Sequence, residues 1–228
     1  MSGTPTIPGW YINFQAAVLK QLPRPGEIDQ QVAEGWESNQ ASLKNNLAEC
    51  LLPPTPKTVV TSVETNLLEF VSTVTVSATT TKFVAKDNFI INTEASAKVK
   101  ISYLGNNFKA WLRGKTEDQI TEQTLHYSKL RQSSVDGPII AELGGEEKSE
   151  TTLTEMFFLM EKQRNGEAGV LLNNGYANIF YIRDACGVLR AVHVDWYDGG
   201  WDVNADTVAY PDGWIAGRQV FSRNPSES

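Results

Sequence analysis

The residues best suited to chemistry lie together in one stretch, HVDWYDGGWDVNAD. Its carboxylate and amide oxygens are ligands that calcium accepts. Asp202, Asn204 and Asp206 have the one-three-five spacing of an EF-hand loop. The match ends there, because Thr207 stands where that loop needs a glycine and Gly213 stands where it needs a bidentate glutamate. An EF-hand is therefore rejected.

The two histidines offer acid–base chemistry, but no complete catalytic motif surrounds them. His193 belongs to the stretch above, and His126 lies in TLHYSKL, where the pattern predicts a surface or partly packed residue. No nucleophile motif accompanies either histidine. The turns NNG and LGG lack the spacing of a phosphate-binding loop. We therefore predict no catalytic residues and no cofactor.

The same stretch alternates like two strands joined by a glycine turn. One side of each strand is apolar and the other carries Asp and Asn, which are poor strand formers. The apolar positions form a regular frame of Val192, Val194, Trp196, Trp201, Val203 and Ala205, which Trp214, Val220 and Phe221 continue.

The composition of residues 184–217 is unusual for a solvated surface. The segment holds six of the ten aspartates but none of the seventeen glutamates, and it has no Lys, Gln or Met. An ordinary surface uses Glu and Lys freely. Short polar groups and tyrosines on a fixed apolar frame are typical of a paratope, although an acidic sheet face would also fit.

The elements that must position this segment are predicted as follows. Helices are expected at 10–22, 28–36 and 41–52, before a proline-rich linker, LPPTPK. Residues 53–84 form a linker and strand segment rich in Val and Thr. The predicted domains are thus a helical module (1–52), this segment, and a domain over 85–228.

Within the last domain, AKVKISYL and KAWLRG are predicted strands. Residues 120–132 and TLTEMFFLMEKQ are predicted helices, the second with a capping box formed by Thr152 and Glu155. GVLLNN, NIFYIRD, VLRAVHVDW, WDVNADTV and QVFSRN then predict an antiparallel meander. The expected fold class is α+β.

Composition and charge restrict the partners. A net charge of −7 disfavours nucleic acid and anionic membranes. No apolar run is long enough to span a membrane, and the first residues do not resemble a signal peptide. Cys50 and Cys186 are expected to be free thiols. We predict a cytoplasmic protein, with export or surface display by another route left open.

Several motifs resemble the C-terminal region of variable proteins, the targets of diversity-generating retroelements. They are NGYANIFYIRD, GVLRAV, the W-x-x-GGW-x-V-x-A strands, the P-x-x-W-x-x-G loop and QVFSRN, and the resemblance covers roughly residues 85–224. It implies a C-type-lectin-like domain. The chain has GGW where better-known members have a GGSW-type motif, which leaves an immunoglobulin-like display scaffold as the alternative topology.

In such systems, error-prone copying at adenines rewrites codons of the form AAY. The rewritten codons cannot encode Glu, Lys, Gln, Met or Trp. Residues 184–217 contain none of these residue types except the tryptophans of the frame. The resemblance implies a diversified region at about 184–218. The implied ligand-contact residues are His193, Asp195, Tyr197, Asp198, Asp202, Asn204, Asp206, Tyr210, Asp212, Ile215, Ala216 and Arg218. The implied scaffold residues are Val192, Val194, Trp196, Gly199, Gly200, Trp201, Val203, Ala205, Pro211, Trp214 and Gly217.

The leading hypothesis is therefore a display protein that binds a protein or cell-surface ligand, with residues 1–52 as a small packing domain or a docking module for a partner. The second hypothesis is a calcium-dependent carbohydrate-binding module that uses Asp195, Asp198, Asp202 and Asp206. The third is an enzyme on a related fold.

Overall fold

The computed structural model describes residues 8–40, 43–44, 47, 66–208 and 213–223. The chain divides into two compact units, Met1–Leu51 (unit 1) and Leu52–Ser228 (unit 2). The predicted linker LPPTPK lies outside the described residues.

The described part of unit 1 includes two helices, α1 (Gly9–Leu19) and α2 (Gln30–Ser38), at the positions predicted. Asp29 caps α2, because its side chain accepts a hydrogen bond from the backbone N–H of Gln31 and satisfies a free donor of the first turn. The predicted third helix, 41–52, lies largely outside the described residues.

Unit 2 contains short helices and a large sheet. Its described helices are α3 (Ala85–Asn88), α4 (Asn106–Trp111), α5 (Asp136–Glu142), α6 (Glu146–Ser149) and α7 (Leu153–Lys162). Its described strands are β1 (Leu68–Val76), β2 (Phe83–Val84), β3 (Ile101–Leu104), β4 (Thr116–Glu117), β5 (Gln123–Leu130), β6 (Glu150–Thr151), β7 (Asn178–Arg183), β8 (Leu189–Tyr197), β9 (Gly200–Thr207) and β10 (Gln219–Ser222). The fold class is α+β, as predicted.

The main sheet has the strand order β1-β5-β10-β7-β8-β9-β3, and β6 also pairs with β7. The predicted antiparallel meander is present for β7, β8 and β9. The last strand does not continue it, because β10 lies between β5 and β7 and runs parallel to β7. β1, from the segment predicted as a linker and strand, pairs with β5 in the same sheet.

Three predicted elements were wrong. Residues 120–132 form β5 instead of a helix, because pairing with both β1 and β10 outweighs the local helix propensity. Residues 109–111 of KAWLRG end α4 and residues 112–114 form the turn after it, where a strand was predicted; Phe108 of the helix and its C-cap residue Leu112 are both buried. GVLLNN forms no strand, and its backbone is bonded instead by the side chains of Gln163 and Asn178.

The helix α7 is where the sequence predicts it. Thr152 accepts a hydrogen bond from the Glu155 backbone N–H, and the Glu155 carboxylate accepts one from the Thr152 N–H at 2.8 Å. This reciprocal capping box satisfies backbone donors that the first helical turn cannot.

Both faces of the central strands are buried. One face belongs to the Trp201 cluster, which includes Phe180, Val192, Val194, Trp201 and Val203 together with residues of α7. The other belongs to the Tyr181 cluster, which includes Ile179, Tyr181, Ala191, Trp214 and Val220 together with residues of α5. Adjacent residues of β7 and β8 therefore enter different cores, as the pleat of a strand requires.

Candidate functional site

The β8–β9 hairpin separates the predicted scaffold from the predicted ligand residues. In its register, Val192 lies opposite Ala205, Val194 opposite Val203, and Trp196 opposite Trp201, all on the face that packs into the Trp201 cluster. The other face is here called the hairpin face, and it carries His193, Asp195, Tyr197, Asp202, Asn204 and Asp206. The alternation predicted from the sequence is therefore present in three dimensions.

The hairpin turns through Asp198 and Gly199. Tyr197 and Gly200 are the last paired residues, and the two turn residues have φ values of 49° and 85°. Two positive φ values in a two-residue loop define a type I′ turn, which matches the twist of the flanking strands. Asp and Gly suit these positions, since an Asp tolerates the left-handed region and a Gly has no Cβ.

Trp196 depends on a close approach by a glycine outside the hairpin. Gly166 has a φ of 69°, and a Cβ placed on it would overlap the indole ring of Trp196. Trp196 also meets Trp201 edge-on at 5.3 Å between ring centroids. The indole N–H of Trp201 donates to the backbone carbonyl of Gln163 at 3.0 Å. The scaffold tryptophans thus pack against the segment that follows α7.

The hairpin face is only partly open to solvent. Tyr197 is 67% exposed, whereas the His193 side chain is only 15% exposed. Asp202 accepts a hydrogen bond from the Ser102 hydroxyl at 2.6 Å, and Asn204 lies against Gly105. The strand β3 and the start of α4 therefore engage the β9 side of this face.

His193 lies between two carboxylates. Its Nδ1 is 3.4 Å from Asp195 Oδ1 and its Nε2 is 3.4 Å from Asp206 Oδ2. Among the described residues His193 Nδ1 has no regular hydrogen-bond partner, so its contact with Asp195 is mainly electrostatic. Burial lowers the pKa of His193, but the two carboxylates outweigh it, and the pKa lies above its ordinary value.

A buried acid that interacts with His193 was not predicted from the sequence. Asp136, at the start of α5, is 3% exposed. Its Oδ1 accepts hydrogen bonds from the Tyr181 hydroxyl at 2.8 Å and from the Trp214 indole N–H at 2.7 Å. Burial raises the pKa of Asp136 to about 6, although the two hydrogen bonds oppose this. The pattern SSVDGP gives no sign of this role, because both donors are distant in sequence.

The residues after β9 form the 213–218 loop, which carries more of the predicted ligand residues. Ile215 is 49% exposed and Ala216 is also exposed. Arg218 is half-buried, with its guanidinium 5.4 Å from the centroid of the Trp214 ring. The predicted residues Tyr210 and Asp212, like Pro211 of the scaffold, lie outside the described residues.

Other candidate groups lie elsewhere or are isolated. His126 is partly buried on β5, beside Phe70, in agreement with the predicted packing although not with the predicted helix. Cys186 is exposed and forms no disulfide, while Cys50 lies outside the described residues. A pocket of about 190 Å³, lined by Lys82, Phe157 and other residues, has no hairpin-face residue in its lining.

Among the residues that the structure describes, no group of three or more His, Cys, Asp or Glu side chains is arranged to hold a metal ion. In the same residues no helix combines the length and the apolar character needed to cross a membrane.

Comparisons of the chain with protein-family models, with curated proteins and with solved structures find no match.

Proposed function

We propose that this chain is a ligand-binding display protein, the variable protein of a diversity-generating retroelement. It recognises a protein or cell-surface ligand through the hairpin face and the 213–218 loop. The finer fold assignment, a C-type-lectin-like domain, belongs to the same proposal and rests on the resemblance described above together with the α+β architecture.

The observation that carries this proposal is that one face of the β8–β9 hairpin is buried while the other is accessible. Val192, Val194, Trp201 and Val203 are fully buried. Every hairpin-face residue, in contrast, is at least partly accessible. A strand can change one row of side chains without changing its core, provided that the other row is constant. Such a hairpin suits a protein whose recognition residues vary while its fold does not.

The missing residue types support the same proposal. Glu, Lys, Gln and Met are absent from residues 184–217, although Glu and Lys are common elsewhere in the chain. The partial exposure of the hairpin face does not require this exclusion, because a long charged side chain can extend to solvent. The exclusion agrees with how AAY codons change when only their adenines are rewritten.

The shape of the exposed surface supports a macromolecular ligand. Tyr197 and Ile215 are large and well exposed, and they project from a hairpin and a loop. Tyrosine supplies wide contact area at a low cost in conformational entropy, and it is common where proteins bind proteins. A small molecule would instead be enclosed by its binding site.

The gene itself tests the proposal. We expect a reverse-transcriptase gene nearby, together with a near-copy of the last ~100 bases of the variable region, which differs from it where the copy has adenine. Sequences of the region from independent isolates should differ at codons for the hairpin face and not at codons 192, 194, 201 and 203. The absence of such a repeat, or changes spread evenly over both sets of codons, would overturn the proposal.

A further inference from the structure

The main sheet ends at β1, and the middle of this strand has an open outer edge. Among the described residues β1 pairs only with β5. At the start of β1, the Glu142 carboxylate accepts hydrogen bonds from the backbone N–H groups of Leu67 and Leu68, at 2.9 and 2.8 Å. Beyond its end, the Thr79 N–H donates to the Ile120 carbonyl at 2.9 Å. The chain thus occupies both ends of β1 and leaves its middle open.

The hydrogen bonds of β5 show in which direction its backbone groups point. The N–H of Leu130 donates to the carbonyl of Arg218, which directly precedes β10. The N–H of Arg131 donates to the carbonyl of Leu67, which directly precedes β1. Successive residues of a strand direct their backbone groups to opposite sides. The even-numbered residues of β5 therefore point toward β10, and the odd-numbered ones point toward β1.

Two residues of β1 direct their backbone N–H and C=O groups away from the sheet. Thr73 and Thr75 lie opposite His126 and Thr124, which are even-numbered residues of β5. In such a pair both residues point their backbone groups outward, while Val74, between the two threonines, bonds to β5. A row of outward donors and acceptors at the edge of a sheet is a site at which another strand can pair.

The open edge lacks the features that usually prevent pairing. Natural edge strands carry lysine, proline or charged side chains that would be costly to cover. Residues 70–81 contain no proline and no charged residue. Phe70 and Val71 are 58% and 48% exposed, and Val74 is only partly covered by the Trp201 cluster. A second strand could therefore cover this edge without removing any charge from water.

We propose that β1 pairs with β1 of a second copy of this chain, antiparallel, about a twofold axis at Val74. In this register Thr73 lies opposite the second copy's Thr75, and Val74 lies opposite the second copy's Val74. Each Thr73–Thr75 pair exchanges two backbone hydrogen bonds, so the outward groups of both threonines are satisfied. The β-bulge between Phe70 and Ser72 ends the regular pairing.

A second copy suits this edge because the register is self-complementary on both faces. On the side of the Trp201 cluster the two copies of Val74 meet, and they extend the apolar core across the axis. On the other side the exposed Thr73 and Thr75 lie beside each other, and cross-strand threonine pairs stabilise sheets. A twofold interface requires such a patch, since the same surface must fit itself.

The proposed pairing places both hairpin faces on the same side of one continuous sheet, because the twofold axis is perpendicular to the sheet. β8 is the fourth strand from β1 in the strand order. The two copies of β8 are therefore nine strand spacings apart, about 43 Å along the sheet. With the function proposed above, the dimer presents two ligand-binding surfaces in one direction. Only this step rests on that function.

Sedimentation equilibrium of the full chain tests the pairing and its register. We expect a monomer–dimer equilibrium. Thr73→Lys combined with Thr75→Lys places two ammonium groups opposite each other in both pairs, and should weaken dimerisation by about tenfold or more. Thr73→Lys combined with Thr75→Glu places an ammonium opposite a carboxylate in the same pairs. This variant should dimerise within about threefold of the unmodified chain.

Thr124→Lys is the matched control. Thr124 is exposed and lies opposite Thr75, but on β5, one strand away from the open edge. The added charge should leave dimerisation unchanged. The proposal is wrong if the unmodified chain is monomeric at all concentrations, or if the two double variants dimerise equally. A monomer would leave the proposed function untouched, because the gene sequence tests that function separately.

Amide hydrogen exchange gives a second measurement that requires no variant. The N–H groups of Thr73 and Thr75 should be protected at concentrations where the dimer forms, and should exchange freely after dilution to the monomer. The N–H of Val74 bonds to β5 within one chain, so it should be protected at both concentrations. If the amides of Thr73 and Thr75 exchange freely in the dimer, the copies associate through another surface and the proposal is overturned.

Discussion

His193 illustrates what a residue's neighbours in sequence do and do not determine. The alternation of residues 192–197 places it on the polar face of β8, and that is where it lies. Its exposure could not be predicted, because the ring that covers it belongs to Trp214, twenty-one positions away. Asp136 was missed for the same reason. Local patterns determine which face a side chain occupies, whereas distant contacts determine what covers it.

At the scale of single residues, we predict that Asp136→Asn changes the pH dependence of stability. The folded-state pKa of about 6 exceeds the ordinary 3.8. The stabilisation that Asp136 provides is therefore complete below pH 3.8 and is lost as the pH rises through 6. Replacing the acid by a neutral amide should stabilise the protein by up to about 3 kcal/mol at pH 7 and by little at pH 4. Urea unfolding at the two pH values measures this. An equal loss of stability at both would contradict it.

A second residue-scale prediction concerns the two faces of the hairpin. Trp201→Ala removes a fully buried ring and its hydrogen bond to Gln163, and should cost about 3–5 kcal/mol in the free energy of unfolding. Tyr197→Ala, on the exposed side, should change it by less than about 0.5 kcal/mol. Chemical denaturation of both variants provides the comparison. Similar losses would mean that Tyr197 supports the fold and is not free to vary.

At the scale of elements, β7, β8 and β9 were predictable, whereas β5 and the placement of β10 were not. β7, β8 and β9 show clear alternation and follow one another through short turns, so local signals suffice. β5 carries apolar residues at intervals that fit either period, and its pairing with β1 and β10 decided the outcome. The placement of β10 between β5 and β7 has no local signature at all.

The contact between Gly166 and Trp196 gives a prediction about how the β8–β9 hairpin packs against the segment that follows α7. Gly166→Ala should cost about 2–4 kcal/mol, because it adds backbone strain at a φ of 69° and pushes the indole ring out of place. Gly175→Ala is the matched control, since Gly175 has a similar φ of 83° but open space around it. It should show the strain alone, about 1–2 kcal/mol. If the two variants lose the same stability, the clash with Trp196 is absent.

At the scale of the whole molecule, the residues that follow the candidate binding surface connect it to the sheet and to α7 of unit 2. β10 follows the 213–218 loop and enters the middle of the sheet. Directly after it, Arg223 donates to the fully buried carboxylate of Glu155 at 2.8 Å. Glu155 belongs to the capping box of α7, so the end of the described chain is connected to the helix that packs under the hairpin.

This connection predicts a global effect from a residue near the end of the chain. Arg223→Ala leaves the buried Glu155 carboxylate without its cation, and should lower the unfolding free energy of unit 2 by on the order of 3 kcal/mol. Lys82→Ala breaks an ion pair with Asp118 that is open to solvent, and no measurable change is expected. Thermal unfolding of the two variants measures the contrast. A local loss of order confined to β10, without a lower melting temperature, would contradict the prediction.

The pleat of the β8–β9 hairpin has a consequence at the level of nucleotides. Hairpin-face residues occupy odd positions in β8 and even positions in β9, because the two-residue turn joins Tyr197 to Gly200. In the template of a retroelement, adenine-bearing codons should therefore recur every six bases through β8. Through β9 they should again recur every six bases, but the alternating pattern is shifted by one codon at the turn. The alternation of side chains across the sheet would then be visible as a regular spacing of adenine-bearing codons in the template, even before any ligand is known.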